Sequence, residues 1–302
     1  MPVTSPLASL KATRAVLDRH GLAAKHALGQ NFLVNDGVVA KILTLSGACE
    51  EDTVLEVGPG IGTLTTALLP RVGRVIAIER DAELIPVLGE TCAPWADRLT
   101  LLNRDAVGLT TADLAAVWPD AAPNKFIANL PYVVATALVL DYFRDLPSLE
   151  SATVMVQWEV ADRMMAHPST KEYGAYTVKL ALRARATGQF TVQPSSFHPA
   201  PKVTSAVIRL DRRQILDEAG HPLSDEELST ADMLADAAFA TRRKTLNNSF
   251  KQYFAGRKDG EAGLSRAREA AAAADIDLSR RGETLFPEEF VVLAREFLRS
   301  ER

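Results

Sequence analysis

Three glycines and one acidic residue are the first candidates for chemistry in this sequence. Gly58, Gly60 and Gly62 follow the β-branched run Thr53–Val57. Glycine lets the backbone approach a ligand closely and adopt positive φ. The G-x-G-x-G spacing departs from the dinucleotide phosphate fingerprint, so the cluster alone is also compatible with a plain strand–helix turn. Glu79, 19 residues after Gly60, adds a carboxylate that can accept two hydrogen bonds from a ribose diol, and together they predict a nucleoside cofactor.

Asp105 is a second acidic candidate, and it follows the third predicted strand, Leu99–Leu102. An aspartate at this strand end can accept a hydrogen bond from the amine of an adenine ring. Turn capping is the commoner use of a single aspartate in a loop. Asp105 is retained as a candidate because it follows a strand in the same way as the glycines and Glu79.

The tetrapeptide Asn-Leu-Pro-Tyr at 129–132 follows the fourth predicted strand, Lys125–Ala128. An Asn/Asp-Pro-Pro-Tyr-type tetrapeptide at this place is typical of S-adenosylmethionine-dependent methyltransferases that act on planar amino groups. The Asn-Leu-Pro-Tyr form resembles that of the ribosomal RNA adenine dimethyltransferases, in particular the bacterial enzymes of the 16S (small-subunit) rRNA. The resemblance extends over nearly the whole chain, through residues 28–33, 56–62, 156–157, 159–163, 173–174, 197–207 and 242–246.

The resemblance implies a reaction and a partner. The reaction is transfer of methyl groups from S-adenosylmethionine to the exocyclic N6 amines of two adjacent adenosines near the 3′ end of 16S rRNA, as part of small-subunit biogenesis. The partner is 16S rRNA in a small ribosomal subunit or its precursor, and the protein is expected to be a monomer with no membrane partner.

The residue types of the tetrapeptide suit this chemistry. An adenine amine is a poor nucleophile because its lone pair is delocalised into the ring. Hydrogen bonds from its N–H groups to the side-chain oxygen of Asn129 and the carbonyl of Leu130 would hold that lone pair out of the plane. Pro131 stiffens the turn, Tyr132 can stack on an extruded base and Phe197 can close its other face. Positioning suffices for a charged methyl donor, so no metal and no strong general base are expected.

The resemblance also assigns binding residues one by one. Gln30, Asn31 and Leu33 are expected at the methionine end of the cofactor, and Gly58 and Gly60 beneath it. Glu79, with Arg80 beside it, is expected at the ribose, Asp105 with Ala106 at the adenine, and Asn129 at both cofactor and target. The expected RNA-binding residues are Lys202, Arg242, Arg243 and Lys244.

The sequence departs from the family pattern at three places. Val133–Ala137 replaces the usual continuation after Asn-Leu-Pro-Tyr, Trp158 stands where a lysine is usual, and Tyr176 replaces a common leucine. None of these changes removes an assigned catalytic group. They bear on the shape of the target pocket and on the degree of methylation.

Three other classes of protein are considered beside this one. A nicotinamide-dependent oxidoreductase would be expected to carry the phosphate fingerprint and a hydride-site acid–base pair, and neither is evident. A non-catalytic RNA-binding assembly or transcription factor would have no need for the glycines, Glu79, Asp105 and Asn129. A large-subunit rRNA adenine methyltransferase that confers macrolide resistance shares the motifs, but the long helical C-terminal region and the Phe-His-Pro-Ala-Pro-Lys-Val segment favour the small-subunit enzyme.

The elements that must position these residues alternate along the chain. Short apolar runs at 53–57, 74–79, 99–102, 125–128 and 152–156 are separated by helical patterns, which predicts βαβ units and a mostly parallel sheet. Two more strands, 188–192 and 203–210, are expected to close it in antiparallel fashion. The predicted fold class is therefore α/β, a Rossmann-like class I methyltransferase sheet followed by a small all-helical domain. The expected domains are a methyltransferase domain at 1–215, with a helical extension at 1–50, and a helical RNA-binding domain at 216–302.

Length and composition exclude several classes. The chain has 302 residues, of which 47% are hydrophobic and 24% charged, so it can bury a core and is not disordered as a whole. Its apolar runs are too short to span a membrane, and no secretion signal is recognised at the N-terminus. Two cysteines, Cys49 and Cys92, cannot build a disulfide scaffold or a four-ligand zinc site. A cytoplasmic location is expected.

The net charge of −4 argues weakly against a nucleic-acid partner. The charges are, however, segregated along the sequence. Residues 179–209 hold five basic and no acidic side chains, and residues 241–258 hold six and none, whereas 210–239 holds eight acids. The distribution predicts a basic face for RNA that is offset by acidic residues elsewhere.

Overall fold

The computed structural model describes residues 4–25, 28–118, 122–216, 220–258 and 260–300. The helices are α1 Leu10–Arg19, α2 Asp36–Ser46, α3 Thr65–Leu68, α4 Leu84–Thr91, α5 Thr111–Val117, α6 Ala135–Asp145, α7 Trp158–Met165, α8 Ala175–Ala181, α9 Asp225–Phe239, α10 Leu246–Phe254, α11 Gly260–Ala273 and α12 Pro287–Arg299. The strands are β1 Phe32–Leu33, β2 Thr53–Val57, β3 Arg74–Glu79, β4 Leu99–Asn103, β5 Lys125–Asn129, β6 Ser151–Gln157, β7 Ala184–Val192, β8 Phe197–His198 and β9 Ser205–Arg212.

The main sheet has the strand order β4-β3-β2-β5-β6-β9-β7. The pairs β4–β3, β3–β2, β2–β5 and β5–β6 are parallel, and β9 runs antiparallel to β6. This confirms the predicted fold class, a mostly parallel α/β sheet with an antiparallel closing strand. The strand order reverses between β2 and β5, and ligands of such sheets bind beyond the carboxyl ends of the strands at this point.

Continuous burial explains why the central strands form where the sequence predicts them. Nearly every side chain of β2, β3, β5 and β6 is buried, as expected of parallel strands covered on both faces. Such strands need apolar, β-branched residues without interruption. β2 and β3 therefore begin and end at the predicted residues.

Several elements differ from the sequence prediction. The segment before α2 contains β1, which pairs antiparallel with the equally short β8. The helices α5, α7 and α8 were not predicted. The basic run Arg242–Lys244 is expected to continue into the next helix, but α10 begins only at Leu246 and the run lies in a turn. Asp217 and Glu218 of the predicted acidic segment lie outside the described residues.

The chain divides into two compact units. The sheet unit comprises Met1–Ala161 with Ala186–Arg212, and the helical unit comprises Asp162–Arg185 with Arg213–Arg302. These units differ from the expected domains in residues 162–185 and 213–215, and α8, within 162–185, packs on α9 and α12. Apolar side chains of α8 to α12 form the core of the helical unit, and apolar side chains of the central strands and α2 to α4 form the main core of the sheet unit.

No helix in the described parts of the chain is both long enough and apolar enough to cross a membrane. The same residues contain no group of three or more histidine, cysteine or acidic side chains arranged to hold a metal ion.

Candidate functional site

A cavity of about 430 Å³ opens at the carboxyl edge of the sheet. Its walls come from the loops that follow β2, β3, β4 and β5 and from the segment before α2, all in the sheet unit. Among the predicted site residues, the cavity brings together Gln30, Asn31, Leu33, Gly58, Gly60, Glu79, Arg80, Asp105, Ala106, Asn129, Leu130, Pro131 and Tyr132. Residues that are about 100 positions apart in sequence therefore line the same cavity, because the parallel strands that precede them all end at the carboxyl edge of the sheet.

The glycine loop after β2 forms the floor of this cavity. Gly58 and Gly60 have φ values of +69° and +62°, which side-chain-bearing residues rarely adopt. A Cβ atom at Gly58 would lie 3.4 Å from Pro131, and one at Gly60 would lie 3.2 Å from the ring of Phe32. Both glycines are thus favoured by backbone conformation, and Gly60 also by its close neighbour Phe32, which lines the cavity.

Glu79, at the end of β3, is joined to the glycine loop. The backbone N–H of Gly60 donates to one carboxylate oxygen at 3.1 Å, and the N–H of Asp81 donates to the other at 2.8 Å. The side chain is 6% exposed, and burial raises its pKa while the two backbone donors lower it. Glu79 therefore fixes the loop and still presents a carboxylate to the cavity.

Glu56, in β2 directly before the glycine loop, is a site residue that the sequence reasoning missed. It lines the cavity and is only 1% exposed. Its Oε2 atom has no hydrogen-bond partner among the described residues. Burial, with a smaller contribution from the carboxylate of Glu79, raises the pKa of Glu56 to about 8. The signal was available in the sequence, since an acid inside a buried apolar strand calls for a partner or a function.

The segment before α2 forms one wall, and Asp81 holds it. The side-chain amide of Gln30 donates to Asp81 at 2.7 Å, and the ammonium of Lys25 lies 2.7 Å from the other carboxylate oxygen. Lys25 also donates its backbone N–H to the side-chain oxygen of Gln30 at 2.9 Å. The amide of Gln30 is consequently engaged with Asp81, while Leu33 presents a buried apolar side chain to the cavity.

Asp105 and Arg80 face each other at a rim of the cavity. Their charged groups are 3.7 Å apart, and the side chains are 53% and 69% exposed. Asp105 also accepts the backbone N–H of Val107 at 3.0 Å. The turn-capping role considered from the sequence is therefore present, and its second oxygen faces Arg80.

The tetrapeptide after β5 supplies the opposite wall. The Nδ2 atom of Asn129 donates to the backbone carbonyl of Asn31 at 3.3 Å. The N–H of Leu130 donates to the carbonyl of Met155 in β6 at 3.1 Å, which ties the tetrapeptide to the neighbouring strand. The tetrapeptide is therefore held on one side by the segment before α2 and on the other by the sheet.

The last residue of the tetrapeptide, Tyr132, is tied to the closing strand. Its hydroxyl and that of Ser205 in β9 are 2.8 Å apart. The ring is partly buried and lines the cavity, and burial raises the pKa of the phenol. Because the hydrogen bond to Ser205 restrains the Tyr132 ring, one face of the ring can stack on a planar ligand in the cavity.

Phe197 is not where the sequence analysis expects it. It is 5% exposed, belongs to the core of the sheet unit and does not line the cavity. The residue pairs with Leu33 through β8 and β1. This pairing places its apolar ring in the core, and a contact of Phe197 with a bound base stays a prediction.

The expected basic face is only partly present. Lys179 and Arg183 pair with Asp236 and Asp232 of the acidic stretch at 2.7 Å each, and Arg209 pairs with Asp211. The prediction that the acid-free stretch 179–209 supplies free positive charge to an RNA-binding face is therefore wrong for Lys179, Arg183 and Arg209, because each is paired with an aspartate.

The four residues predicted to bind RNA lie on the surface. Lys202, Arg242, Arg243 and Lys244 are all exposed. Arg242 lies 3.8 Å from Glu283 and donates to the carbonyl of Tyr173. Lys202 belongs to the sheet unit and the other three to the helical unit, and their contact with RNA stays a prediction.

The sequence is similar to proteins of known family. The family model described as "Ribosomal RNA adenine dimethylase" matches residues 21–282. A protein of Rhodospirillum rubrum named Ribosomal RNA small subunit methyltransferase A is 39% identical over 292 residues, which cover 96% of this chain and 94% of that protein. A protein of Mycobacterium bovis (strain BCG Pasteur) with the same name is 42% identical over 276 residues, covering 90% of this chain and 82% of that protein.

A solved structure supports the same comparison. The crystal structure of a dimethyladenosine transferase from Plasmodium falciparum matches with a TM-score of 0.71 and 25% sequence identity. The match covers 89% of this chain and 98% of that one. The similarity thus includes the strands and loops that build the cavity.

Proposed function

The chain belongs to the ribosomal RNA adenine dimethylase family, and from this premise we propose which groups it uses and which adenosines it modifies. The protein is a methyltransferase that dimethylates adenine in ribosomal RNA. We infer that the methyl donor is S-adenosylmethionine and that the targets are the N6 amines of two adjacent adenosines near the 3′ end of 16S rRNA.

The cavity has the features that S-adenosylmethionine requires. Gly58 and Gly60 adopt positive φ, and a Cβ atom at Gly60 would press on the ring of Phe32, so the loop presents bare backbone to a ligand. Glu79 would accept the ribose hydroxyls, and Asp105 with Ala106 would meet the adenine. When bound, S-adenosylmethionine supplies an electrophilic methyl group on a positively charged sulfur.

The tetrapeptide would hold the target amine. The Nδ2 atom of Asn129 is engaged with Asn31, which leaves its Oδ1 atom to accept an N–H of the adenine. The carbonyl of Leu130 would accept the other N–H, and the ring of Tyr132 would stack on the base. Two accepted hydrogen bonds turn the nitrogen lone pair away from the ring plane, towards the donor. The site needs only to position the reactants and exclude water.

The partner and the setting follow from the relatives. The proteins named Ribosomal RNA small subunit methyltransferase A support 16S rRNA, within a small ribosomal subunit or its precursor, as the substrate. We propose that the protein acts as a monomer in the cytoplasm. Lys202 and the exposed cations Arg243 and Lys244 would contact the phosphates of the RNA.

A single observation carries this proposal: the glycine loop with Glu79 and the tetrapeptide at 129–132 line one cavity. The test incubates the purified protein and S-adenosylmethionine with small subunits whose 16S rRNA lacks the modification. Mass spectrometry of nuclease digests should detect N6,N6-dimethyladenosine, and primer extension should locate it at two adjacent positions near the 3′ end.

A parallel incubation with unmodified large subunits separates the two rRNA substrates. Methylation of large-subunit rRNA alone would contradict the proposed substrate, and methylation of neither would contradict the proposed activity. Calorimetric titration with S-adenosylmethionine and with NAD tests the donor independently, since preferential binding of NAD would overturn the assignment of the cavity.

A further inference from the structure

Three large apolar side chains are exposed next to the walls of the cavity. Val133, Trp158 and Val203 are 92%, 41% and 43% exposed. Val133 lines the cavity, and Trp158 directly follows Gln157, which also lines it. Val203 comes two residues before Ser205, whose hydroxyl is hydrogen-bonded to the hydroxyl of Tyr132. Apolar groups of this size are normally buried, so their position at a substrate cavity points to a partner.

Trp158 is the first residue of α7 and directly follows strand β6. Asn129 is paired with Met155 of β6, and β6 continues only to Gln157. Trp158 therefore lies just beyond the carboxyl end of β6, next to the cavity-lining residue Gln157. Its backbone N–H donates to the carbonyl of Thr204 at 3.0 Å, which fixes the start of α7 against the segment before β9.

The chemistry of the substrate identifies what an exposed indole would meet here. An adenine amine can enter the cavity only when its nucleotide has left the RNA stack. The neighbouring base then loses one stacking partner while it is still linked to the target by one phosphodiester. An aromatic side chain can replace that partner, because every base has a π face.

The charges around Trp158 favour a base over a phosphate at this position. Glu159, the next residue, is exposed, and its carboxylate repels phosphate. Lys202 is exposed beside Val203 and supplies a positive charge to the strand. We propose that Trp158 is a positioning residue that stacks on the nucleobase adjacent to the target adenosine. The inference rests on the proposed function in that it takes an extruded adenosine as the substrate.

The central test is a double-mutant cycle between protein and RNA. The probe is a synthetic RNA covering the 3′-terminal segment of 16S rRNA, with or without an abasic nucleotide next to one target adenosine. On the intact RNA, Trp158→Ala should weaken binding by about 5-fold to 100-fold, the range for loss of one base–aromatic stack. On the abasic RNA, the variant and the unaltered protein should bind equally.

Two variants control for a merely structural effect. Trp158→Phe keeps an aromatic face and should restore most of the affinity. Leu10→Ala removes another apolar side chain that is 41% exposed, from α1, and should leave RNA binding unchanged. Both Trp158 variants should bind S-adenosylmethionine as the unaltered protein does, so the loss should appear in the KM for RNA rather than in kcat.

Fluorescence gives a second measurement that does not depend on the alanine variant. The chain has three tryptophans, so Trp95→Phe/Trp118→Phe leaves Trp158 as the sole indole. Its emission should be quenched by the intact RNA and much less by the abasic RNA.

Equal losses for Trp158→Ala on intact and abasic RNA would overturn the proposal, as would unchanged emission. A loss on whole small subunits with none on the isolated RNA would also overturn it, because a ribosomal protein would then cover Trp158. Failure of the proposed function looks different: the unaltered protein would leave no dimethyladenosine in 16S rRNA, whatever residue occupies position 158.

Discussion

The side-chain amide of Asn129 donates a hydrogen bond of 3.3 Å to the backbone carbonyl of Asn31. This bond joins the loop after β5 to the segment before α2, across the mouth of the candidate cavity. An amide has one donor group and one acceptor oxygen. Use of the donor by Asn31 orients the acceptor for the target amine, so the segment before α2 takes part in positioning the substrate.

Replacement of Asn129 by Ala should lower the rate of methyl transfer by at least about 100-fold, the usual cost of removing one preorganised polar group from a reacting centre. The residue lies at a strand end and is partly buried, so the free energy of unfolding should change by no more than about 1 kcal/mol. Single-turnover assays on unmodified small subunits measure the rate, and urea unfolding measures the stability.

Two further variants make this experiment specific to the amide. Asn129→Asp keeps an acceptor oxygen but loses the donor to Asn31, and an intermediate rate is expected. Gln189→Ala removes an exposed amide from the edge strand β7 and should react normally. Near-normal turnover of Asn129→Ala would refute the assigned role.

The stability of the protein should depend on pH through Glu56. Its folded-state pKa is raised by burial to about 8 from an ordinary value of 4.5. The folded state therefore retains a proton that the unfolded state releases between these pH values. This contribution to stability is complete below pH 4.5 and is lost as pH rises through about 8.

Glu56→Gln should remove this dependence, because a glutamine of the same shape does not titrate. At about 1.4 kcal/mol per pH unit, the gain of the variant over the unaltered protein should grow from near zero at pH 4.5 to at most about 5 kcal/mol above pH 8. Urea unfolding at several pH values measures it, with Glu150→Gln, an exposed acid, as the control. Parallel stability curves for Glu56→Gln and the unaltered protein would contradict the assigned burial effect.

The parts of the fold that could be predicted from sequence are those with a strong local signal. β2 and β3 are mostly apolar, buried runs between turns, and both have the predicted bounds. β1 has only two residues and exists because it pairs with β8, about 165 positions later. No local pattern can reveal such a pair. The position of Phe197 depends on the same pairing, so the sequence motif alone could not decide between a place in the core and one at the target base.

The site was predictable to the extent that its residues sit at strand ends. Gly58, Glu79, Asp105 and Asn129 each follow or end a parallel strand, and the topology brings them to one edge. Glu56 was not predicted as a site residue because its apolar neighbours in β2 indicate only a buried strand. Charge was the poorest guide, because ion pairs form between residues about 50 positions apart, as in Lys179 and Asp236.

The two exposed cations before α10 should contribute to RNA binding through charge alone. Arg243 and Lys244 have no ion-pair partner among the described residues, whereas Arg242 is engaged with Glu283 and Tyr173. Arg243→Ala/Lys244→Ala should weaken RNA binding and reduce the slope of log affinity against log salt by about 1.5 to 2. Filter-binding or anisotropy titrations over a range of KCl concentrations measure the slope.

Two other arginines serve as a control that tests whether the effect on RNA binding depends on where the positive charge lies. Arg71 and Arg98 precede β3 and β4, so they lie at the amino edge of the sheet, opposite the cavity. Arg71→Ala/Arg98→Ala removes the same charge and should leave the salt slope close to that of the unaltered protein. Equal slopes for both double variants would mean that the turn at 242–244 has no specific part in binding.

The pair of Arg183 and Asp232 should matter for stability and not for RNA binding. The Arg183 guanidinium is 6% exposed and donates two hydrogen bonds, of 2.9 Å and 2.7 Å, to the two carboxylate oxygens of Asp232. Asp232→Ala would leave a buried cation without its counter-ion, and removal of one partner of a buried pair costs about 3–5 kcal/mol. Urea unfolding should show that loss.

The exposed pair of Arg144 and Asp145 provides the comparison, because exposed ion pairs contribute no more than about 1 kcal/mol. Asp145→Ala should therefore change the free energy of unfolding far less than Asp232→Ala. The salt slope of RNA binding should be the same in both variants as in the unaltered protein, measured at a temperature where each is folded. A steeper slope in Asp232→Ala, which frees the Arg183 cation, would indicate that Arg183 belongs to the RNA-binding surface after all, as its place in the acid-free stretch 179–209 first suggested.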